Sequence, residues 1–358
     1  MVSPVTPNFW KNKKVFLTGH TGFKGSWMSL WLLKAGARLT GYSLGLPTQP
    51  SLFETLDISK DMNSIFADIR DLEKIKNEVN RVKPDIIIHM AAQPLVRYSY
   101  QEPVETYMTN VMGTVNLFEA ARSSNCAKVI VNVTSDKCYE NQEREAGYKE
   151  NEPMGGSDPY SNSKGCAELV TSAYRKSFFN KEGVLLASGR AGNVIGGGDW
   201  ASDRLVPDIV RSVLNNEKLI IRNPRATRPW QHVLEPVGGY LHLTEKLFNE
   251  GKAFAEGFNF GPSAADHCDV ENILLKMNKL WKNKIKYEIV NSASNPHEAH
   301  LLSLDCSKAE KVLGWKPRWN LEKALQMTVD WNEQRLNKIS SKEICLEQIN
   351  DYESMLNS

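Results

Sequence analysis

The sequence predicts an α/β protein: a doubly wound, parallel Rossmann-type sheet with a smaller mixed α/β substrate lobe. Three observations carry this prediction. Short apolar runs alternate with helical patterns through the first half of the chain. The first run ends in a turn with glycines at 19, 22 and 25. The runs after Asp85 and Lys128 are apolar almost throughout, as strands buried on both faces must be. Strand–helix alternation with short connections implies right-handed crossovers and a parallel sheet.

The elements follow in order. Val15-Phe-Leu-Thr is the first strand, and Trp27, Leu30, Trp31 and Leu33 mark the helix after it. Arg38-Leu-Thr-Gly-Tyr-Ser-Leu and Ser64-Ile-Phe-Ala-Asp are the second and third strands, and Leu72–Val82 is helical. Asp85-Ile-Ile-Ile-His-Met is the fourth strand, followed by a long helix over 102–123. Lys128-Val-Ile-Val-Asn-Val-Thr-Ser, a helix over 160–179 and Val184-Leu-Leu-Ala-Ser-Gly-Arg close the series. Beyond Arg190 the alternation breaks into loop-rich stretches: Gly196-Gly-Gly-Asp-Trp, Asn223-Pro-Arg-Ala-Thr-Arg-Pro-Trp and Gly261-Pro-Ser-Ala-Ala-Asp-His. The 358 residues divide on this reading into a dinucleotide-binding domain over 1–188, with a returning segment near 232–256. A smaller lobe takes 189–231 and 257–358, with a cleft between the two.

Composition excludes several classes. The 44 basic and 42 acidic side chains leave a net charge of +2, without the basic surplus of a nucleic-acid binder. No run reaches the roughly 18 apolar residues of a membrane helix, and the first residues lack the apolar core of a secretory signal. The expectation is a cytoplasmic protein with no membrane partner. The six cysteines form no CxxC pair, so they read as reduced thiols and not as a zinc site. His297 and His300 have HxxH spacing but no evident third ligand, so no metal is expected.

Between the first strand and helix stands Thr18-Gly19-His20-Thr21-Gly22-Phe23-Lys24-Gly25. Gly19 permits a tight turn, Gly22 lets a pyrophosphate approach the backbone, and Gly25 lets helix and strand pack closely. The helix N-terminus would face the phosphates. The second strand ends in Gly41-Tyr-Ser-Leu, without the carboxylate that usually grips the adenosine ribose. NAD is the expected cofactor, and NADP stays open. Asp68, beside Ile69, would meet the adenine amine or else cap the next helix. Ala91, Ala92 and Gln93 lie at the carboxyl edge of the fourth strand, where small residues let a cofactor close in.

Tyr160 and Lys164 are one helical turn apart and share a face. An ammonium there would stabilise a phenolate and make a general base. Ser135, Asp136 and Lys137 end the fifth strand at the same edge. A hydroxyl, a carboxylate and an ammonium would point into the cleft, or would form a turn with a surface ion pair.

Together these pieces resemble the extended short-chain dehydrogenase/reductase family. The turn, Asn110-Val-Met-Gly-Thr-Val-Asn, Ser135 and Tyr160-x-x-x-Lys164 carry the likeness, and Leu313-Gly-Trp-Lys-Pro extends it nearly to the end. The resemblance implies a Ser135/Tyr160/Lys164 triad, with Thr109 also near the cofactor. Gly189-Arg-Ala-Gly-Asn193-Val looks like a nucleotide-sugar loop. Asp136-Lys137 resembles the Asp-Glu pair of sugar-nucleotide 4,6-dehydratases, with lysine in place of glutamate. That departure, together with Arg228-Pro-Trp-Gln-His, implies CDP-glucose as substrate. On this resemblance Tyr160 takes the C4 hydroxyl proton, Asp136 protonates the departing C6 hydroxyl, and Lys137 is the C5 base or an electrostatic stabiliser. Gln93, Ser135, Asn193, Arg204, Arg228 and His300 would hold the substrate. A 4-epimerase and a non-catalytic NAD(P)-binding sensor are the alternatives. The family also implies a homodimer or homotetramer, paired through the helices at 102–123 and 160–179, where Val104, Tyr107, Val111, Val170 and Tyr174 fit either such a pairing or burial against the sheet.

Overall fold

The computed structural model describes residues 5–221, 223–282, 284–290 and 301–355. His297, Glu298 and His300 lie outside the described residues. Seven strands form one parallel sheet: β1 (Lys14–Thr18), β2 (Arg38–Ser43), β3 (Asn63–Phe66), β4 (Ile86–His89), β5 (Val129–Val133), β6 (Leu185–Ala191) and β7 (Gly257–Phe260). Their spatial order is β7-β6-β5-β4-β1-β2-β3. This is the doubly wound sheet that the apolar runs predict. Every residue of β4 and β5 is buried, which is why those runs show no alternation. The order reverses between β1 and β4, where Thr18 lies opposite His89. In open sheets ligands sit outside the carboxyl ends at such a reversal.

Helix α1 (Phe23–Lys34) buries Trp27, Leu30 and Trp31 against the sheet. Asp71 caps α2 (Leu72–Val82) by accepting a hydrogen bond from the Lys74 N–H. The long helix runs from Pro103–Tyr107 through a π turn at Met108–Met112 into α3 (Gly113–Ser124). Helix α4 (Pro159–Tyr174) likewise continues into a π turn at Arg175–Phe179.

The apolar residues of these helices divide between the sheet and the surface. Val170 and Tyr174 pack against the core between α3 and the sheet, and the Tyr107 hydroxyl bonds Asn162 at 2.9 Å. Val104 is exposed, and with it Met108, Met112 and Leu169.

The second half builds a core of its own. Helices α5 (Leu205–Asn215), α7 (Val270–Leu280) and α8 (Leu321–Leu336) surround Val206, Ile209, Trp230, Ile273, Met277 and Leu325. Helix α6 (Leu234–Glu250) returns to pack on β5 and β6, and the chain then adds β7 at the sheet edge. The loop through Gly196–Trp200 ties the parts together. Its Gly197 carbonyl accepts from the Trp27 indole at 3.1 Å, and Trp200 meets Trp331 edge-on.

Glu235, on α6, is fully buried. It accepts the Arg318 and Trp319 N–H groups at 2.9 and 2.7 Å and the Tyr352 hydroxyl at 2.8 Å. It thus joins α6 to the start of α8 and to α9 (Ser341–Ser354). Burial pushes its carboxyl up to about 7. The fold therefore favours the protonated form, and that contribution is lost as pH rises through about 7. Glu235→Gln keeps an acceptor for both N–H groups and a donor toward Tyr352. Its melting temperature should fall less than the wild type's between pH 5 and pH 8, by roughly 2–4 °C. Identical pH dependence of the two melting curves would show that Glu235 does not titrate in this range.

Candidate active site

The glycine turn lies at the sheet reversal. Gly19 has φ of 77°, and a Cβ there would stand 2.7 Å from the Ala91 nitrogen. A Cβ on Gly25 would stand 2.0 Å from the Gly19 carbonyl oxygen, so only glycine lets α1 begin this close to β1. A Cβ on Gly22 would meet nothing nearer than that carbonyl at 3.4 Å. The first N–H groups of α1, at Phe23, Lys24 and Gly25, have no acceptor within the helix, and the helix dipole adds positive potential there.

The side chains of this turn divide between structure and site. His20 turns inward. Its ring nitrogens bond Ser43 Oγ at 2.9 Å and Ser64 Oγ at 2.7 Å, and burial lowers its pKa to about 4. The neutral imidazole lies over Gly41 and pins the turn to β2 and β3; only its backbone remains for a ligand. Thr21 Oγ1 donates to the Gly45 carbonyl at 2.6 Å. Phe23 lies beside Gly196.

Asp68 does not cap α2, since Asp71 holds that position. Its carboxylate accepts from Arg70 at 2.6 Å, and this bond lowers its pKa. Ile69 is buried against Gly113. The N–H groups of Met90 and Ala91 both reach Thr18 Oγ1 at 3.1 Å, which draws the Ala91-Ala92-Gln93 segment over the turn. The Gln93 amide bonds Leu95 and Thr106 within its own neighbourhood. Its backbone is held by Asn110, whose amide also donates to Ser163 Oγ at 2.9 Å. Asn110 and Thr109 both sit on the π turn, and Asn110 thereby joins the Gln93 segment to the helix of Tyr160.

The catalytic candidates converge. Asp158 caps α4, accepting from the Ser161 N–H at 2.9 Å, and so fixes where Tyr160 and Lys164 begin their shared face. Ser135 Oγ donates to Asp136 Oδ1 at 2.9 Å, and it stands near enough to the Tyr160 phenol to draw its pKa down. Asp136 is 2% exposed, and its Oδ2 has no hydrogen-bond partner. Burial raises its pKa, against the pull of Lys137, Ser135 and Arg228. Burial also pushes Tyr160 up to about 12, while Ser135 and Arg204 draw it down. On balance the phenol stands above its ordinary value, and the groups that draw it down are a hydroxyl and a guanidinium. Lys164 Nζ stands 6.0 Å from the phenol ring centre, and burial and then Lys24 push that ammonium down to about 8.

Lys24 is the residue that the sequence reading passed over. Burial and then the Arg204 charge lower its pKa to about 8, with Asp136 acting in the other direction. It therefore shares the space of Asp136 and Lys164. The available signal was a cation inside a glycine turn. Arg204 begins α5 with Nη1 donating to Asp199 at 3.1 Å. Arg228, on the short strand Thr227–Pro229, is 9% exposed. Asn193 is half-buried just beyond β6, its carbonyl accepting from Gln231. Trp230 packs in the lobe core, its indole donating to the Cys268 carbonyl at 3.0 Å. Lys137 lines a small pocket of about 60 Å³ with Tyr139, Asn141, Asp158, Ser161 and Leu302. Among the described residues no group of three His, Cys, Asp or Glu side chains could hold a metal ion.

The family model for GDP-mannose 4,6 dehydratase matches residues 16–328. CDP-glucose 4,6-dehydratase of Salmonella typhimurium is 55% identical over 355 residues, covering 98% of this chain and 99% of that protein. dTDP-glucose 4,6-dehydratase of the same organism is 26% identical, over 92% of this chain and 96% of its own. Among solved structures, DesIV from Streptomyces venezuelae, a dTDP-glucose 4,6-dehydratase with NAD and TYD bound, superposes with a TM-score of 0.77 at 22% identity. That match covers 92% of this chain and 99% of DesIV. UDP-glucose 4-epimerase of Thermotoga maritima also reaches 0.77 at 22% identity, over 90% and 99%. The last two show a shared fold. The model match and the 55% identity go further: this chain belongs to the family that the GDP-mannose 4,6 dehydratase model describes, the nucleotide-sugar 4,6-dehydratases of extended short-chain dehydrogenase/reductase type.

Proposed function

We propose that the protein is a CDP-glucose 4,6-dehydratase. It is an NAD-dependent hydro-lyase that converts CDP-D-glucose to CDP-4-keto-6-deoxy-D-glucose and water with no net redox change. The observation that carries the reading is the buried Asp136 beside Lys137, facing Tyr160 through Ser135, in a chain 55% identical to an enzyme of that name. An epimerase, which keeps the C6 oxygen, has no use for a carboxyl group that burial inclines to keep its proton.

The glycine turn fits a dinucleotide. The space beside Gly22 and the free N–H groups of α1 suit a pyrophosphate. Arg70 supports NAD over NADP, because its guanidinium is already bound to Asp68 and is not free for a ribose phosphate. When bound, NAD would supply an acceptor for the C4 hydride, a donor that returns it to C6 once water has left while C5 regains a proton, and a positive charge that favours the phenolate. Tyr160 then takes the proton of the C4 hydroxyl while Ser135 hydrogen-bonds that oxygen, and Lys164 holds the nicotinamide ribose. The C4 ketone acidifies the C5 hydrogen. Asp136 gives its proton to the C6 hydroxyl, which leaves as water. Lys137 either removes the C5 proton as a neutral amine or, kept charged, stabilises the enolate. Arg204 and Arg228 reach the same region and suit the substrate pyrophosphate, which guanidinium groups bind in bidentate fashion.

The same proposal includes a pair or tetramer of copies and a cytoplasmic location. The exposed stripe of Val104, Met108, Met112 and Leu169 on adjacent helices offers an apolar face to a second copy. The six cysteines are free thiols, in keeping with a reducing compartment. No described helix is long and apolar enough to cross a membrane.

Incubation with CDP-glucose should give the 4-keto product, seen by its absorbance in alkali, with no net change at 340 nm. UDP-glucose and dTDP-glucose should turn over more slowly. Product from none of the three would overturn the reading. Asp136→Asn should oxidise C4 yet release water roughly 10²–10⁴-fold more slowly, and unchanged turnover would remove Asp136 as the acid. Lys137→Ala, assayed in deuterium oxide, should lose C5 exchange if lysine is the base. A wild-type rate with normal exchange would leave it neither role. Gly192→Ala places a Cβ 2.6 Å from Asp136 Oδ2. This displacement should lower kcat by about 10–100-fold with little change in KM.

A further inference from the structure

We propose that the buried Glu168–Arg190 ion pair is a clamp on both ends of the segment 134–139, and that it sets the positions of Asp136 and Lys137 relative to Tyr160. The proposal rests on the dehydratase reading.

Glu168 lies on α4 one turn beyond Lys164 and two beyond Tyr160, so the three share a face. Its carboxylate is 2.7 Å from the Arg190 guanidinium, and both side chains are almost wholly buried. Each partner then reaches one end of the same segment. Glu168 Oε1 accepts from Thr134 Oγ1 at 2.6 Å, immediately before Ser135. Arg190 Nη1 donates to the Tyr139 hydroxyl at 2.6 Å, immediately after Cys138. Between these points lie only Ser135, Asp136, Lys137 and Cys138. Further bonds hold the clamp itself. Glu168 Oε2 also accepts from Ser188 Oγ at 2.8 Å, and Arg190 Nη1 also donates to the Glu150 carbonyl at 3.1 Å. The Tyr139 hydroxyl donates in turn to Asn259 Oδ1 at 2.7 Å, on the edge strand β7.

A buried ion pair contributes little stability compared with apolar residues of the same size, but it is directional and costly to break. Charge-assisted hydrogen bonds are shorter and stronger than neutral ones. Burial alone would raise the Glu168 pKa; the Arg190 charge and the bonds from Arg190, Thr134 and Ser188 bring it below the ordinary range, so the pair stays ionised. Because one partner stands on the helix of Tyr160 and the other on β6, the clamp registers the proton-transfer pair against the oxidising base. Tyr160 is held apart from this segment, its N–H donating to Ser99 Oγ at 3.1 Å. The oxidation step is therefore less sensitive to the clamp than the elimination step.

The test weakens one end at a time with small changes. Thr134→Val and Tyr139→Phe each delete a hydroxyl, and Thr134→Ser restores one. For each variant kcat and KM for CDP-glucose, the single-turnover signal at 340 nm and the melting temperature are measured beside the wild type. Thr134→Val and Tyr139→Phe should lower kcat by about 10–100-fold, leave KM within about twofold, and build up reduced cofactor at 340 nm, because C4 oxidation outruns loss of water. Thr134→Ser should restore the wild-type time course. Wild-type kinetics in both deletion variants would overturn the clamp. So would uniform slowing of every step with a fallen melting temperature, or a Thr134→Ser variant as slow as Thr134→Val. A wild type that makes no product from CDP-glucose would instead overturn the dehydratase reading.

Discussion

The site depends on one constraint: Asp136 sits where water does not reach. Its carboxyl is packed against Gly192, with one oxygen on Ser135 and the other unpartnered. Removing a carboxylate from water favours its neutral form. The surrounding groups oppose this without cancelling it, since Lys137 and Arg228 pull the pKa down and it remains raised. A second carboxylate at position 137 would favour the protonated form of Asp136 further, whereas Lys137 opposes it; burial still leaves the carboxyl raised, and the lysine brings a group that is either a base or a cation.

The sheet makes this burial possible. The reversal of strand order between β1 and β4 opens a crevice at the carboxyl ends, and β5 and β6 deliver Ser135–Lys137 and Gly192 to its other wall. Asn110 then connects the two walls. It reaches the Gln93 segment beyond β4 with one part of its amide and Ser163 on α4 with another. A regular helix through 108–112 would direct this position elsewhere; the π turn aims it at both partners.

What the sequence reveals follows from which interactions are local. The strands β1–β6 were legible because apolar runs and glycine turns depend on neighbours in the chain. Strand β7, Gly-Phe-Asn-Phe, was not, because it is four residues long and its pairing with β6 is set by the return of α6. The glycine turn was legible as backbone, but its side chains were not. His20 faces inward because Ser43 and Ser64 arrive from two other strands, and Asp68 is engaged because Arg70 folds back onto it. Neither fact leaves a trace in spacing. The apolar residues of the two long helices stayed ambiguous for the same reason: Val170 and Tyr174 pack inward because of what lies across from them, which spacing does not record.

The charge balance is the clearest case of a global figure concealing a local one. A net charge of +2 suggests no strong field, yet Lys24, Lys164, Arg204 and Arg228 all act on the few residues around Asp136 and Tyr160. Burial lowers Lys24 and Lys164 to about 8, which still leaves both mostly charged at neutral pH. They also repel each other, so each gains from an anion placed between them. The reaction proposed here creates such anions in turn, a phenolate on Tyr160 and then an enolate on the sugar, and the substrate brings a pyrophosphate. A site that is unfavourably positive on its own is thereby matched to negative charge that exists only when substrate is bound and reacting.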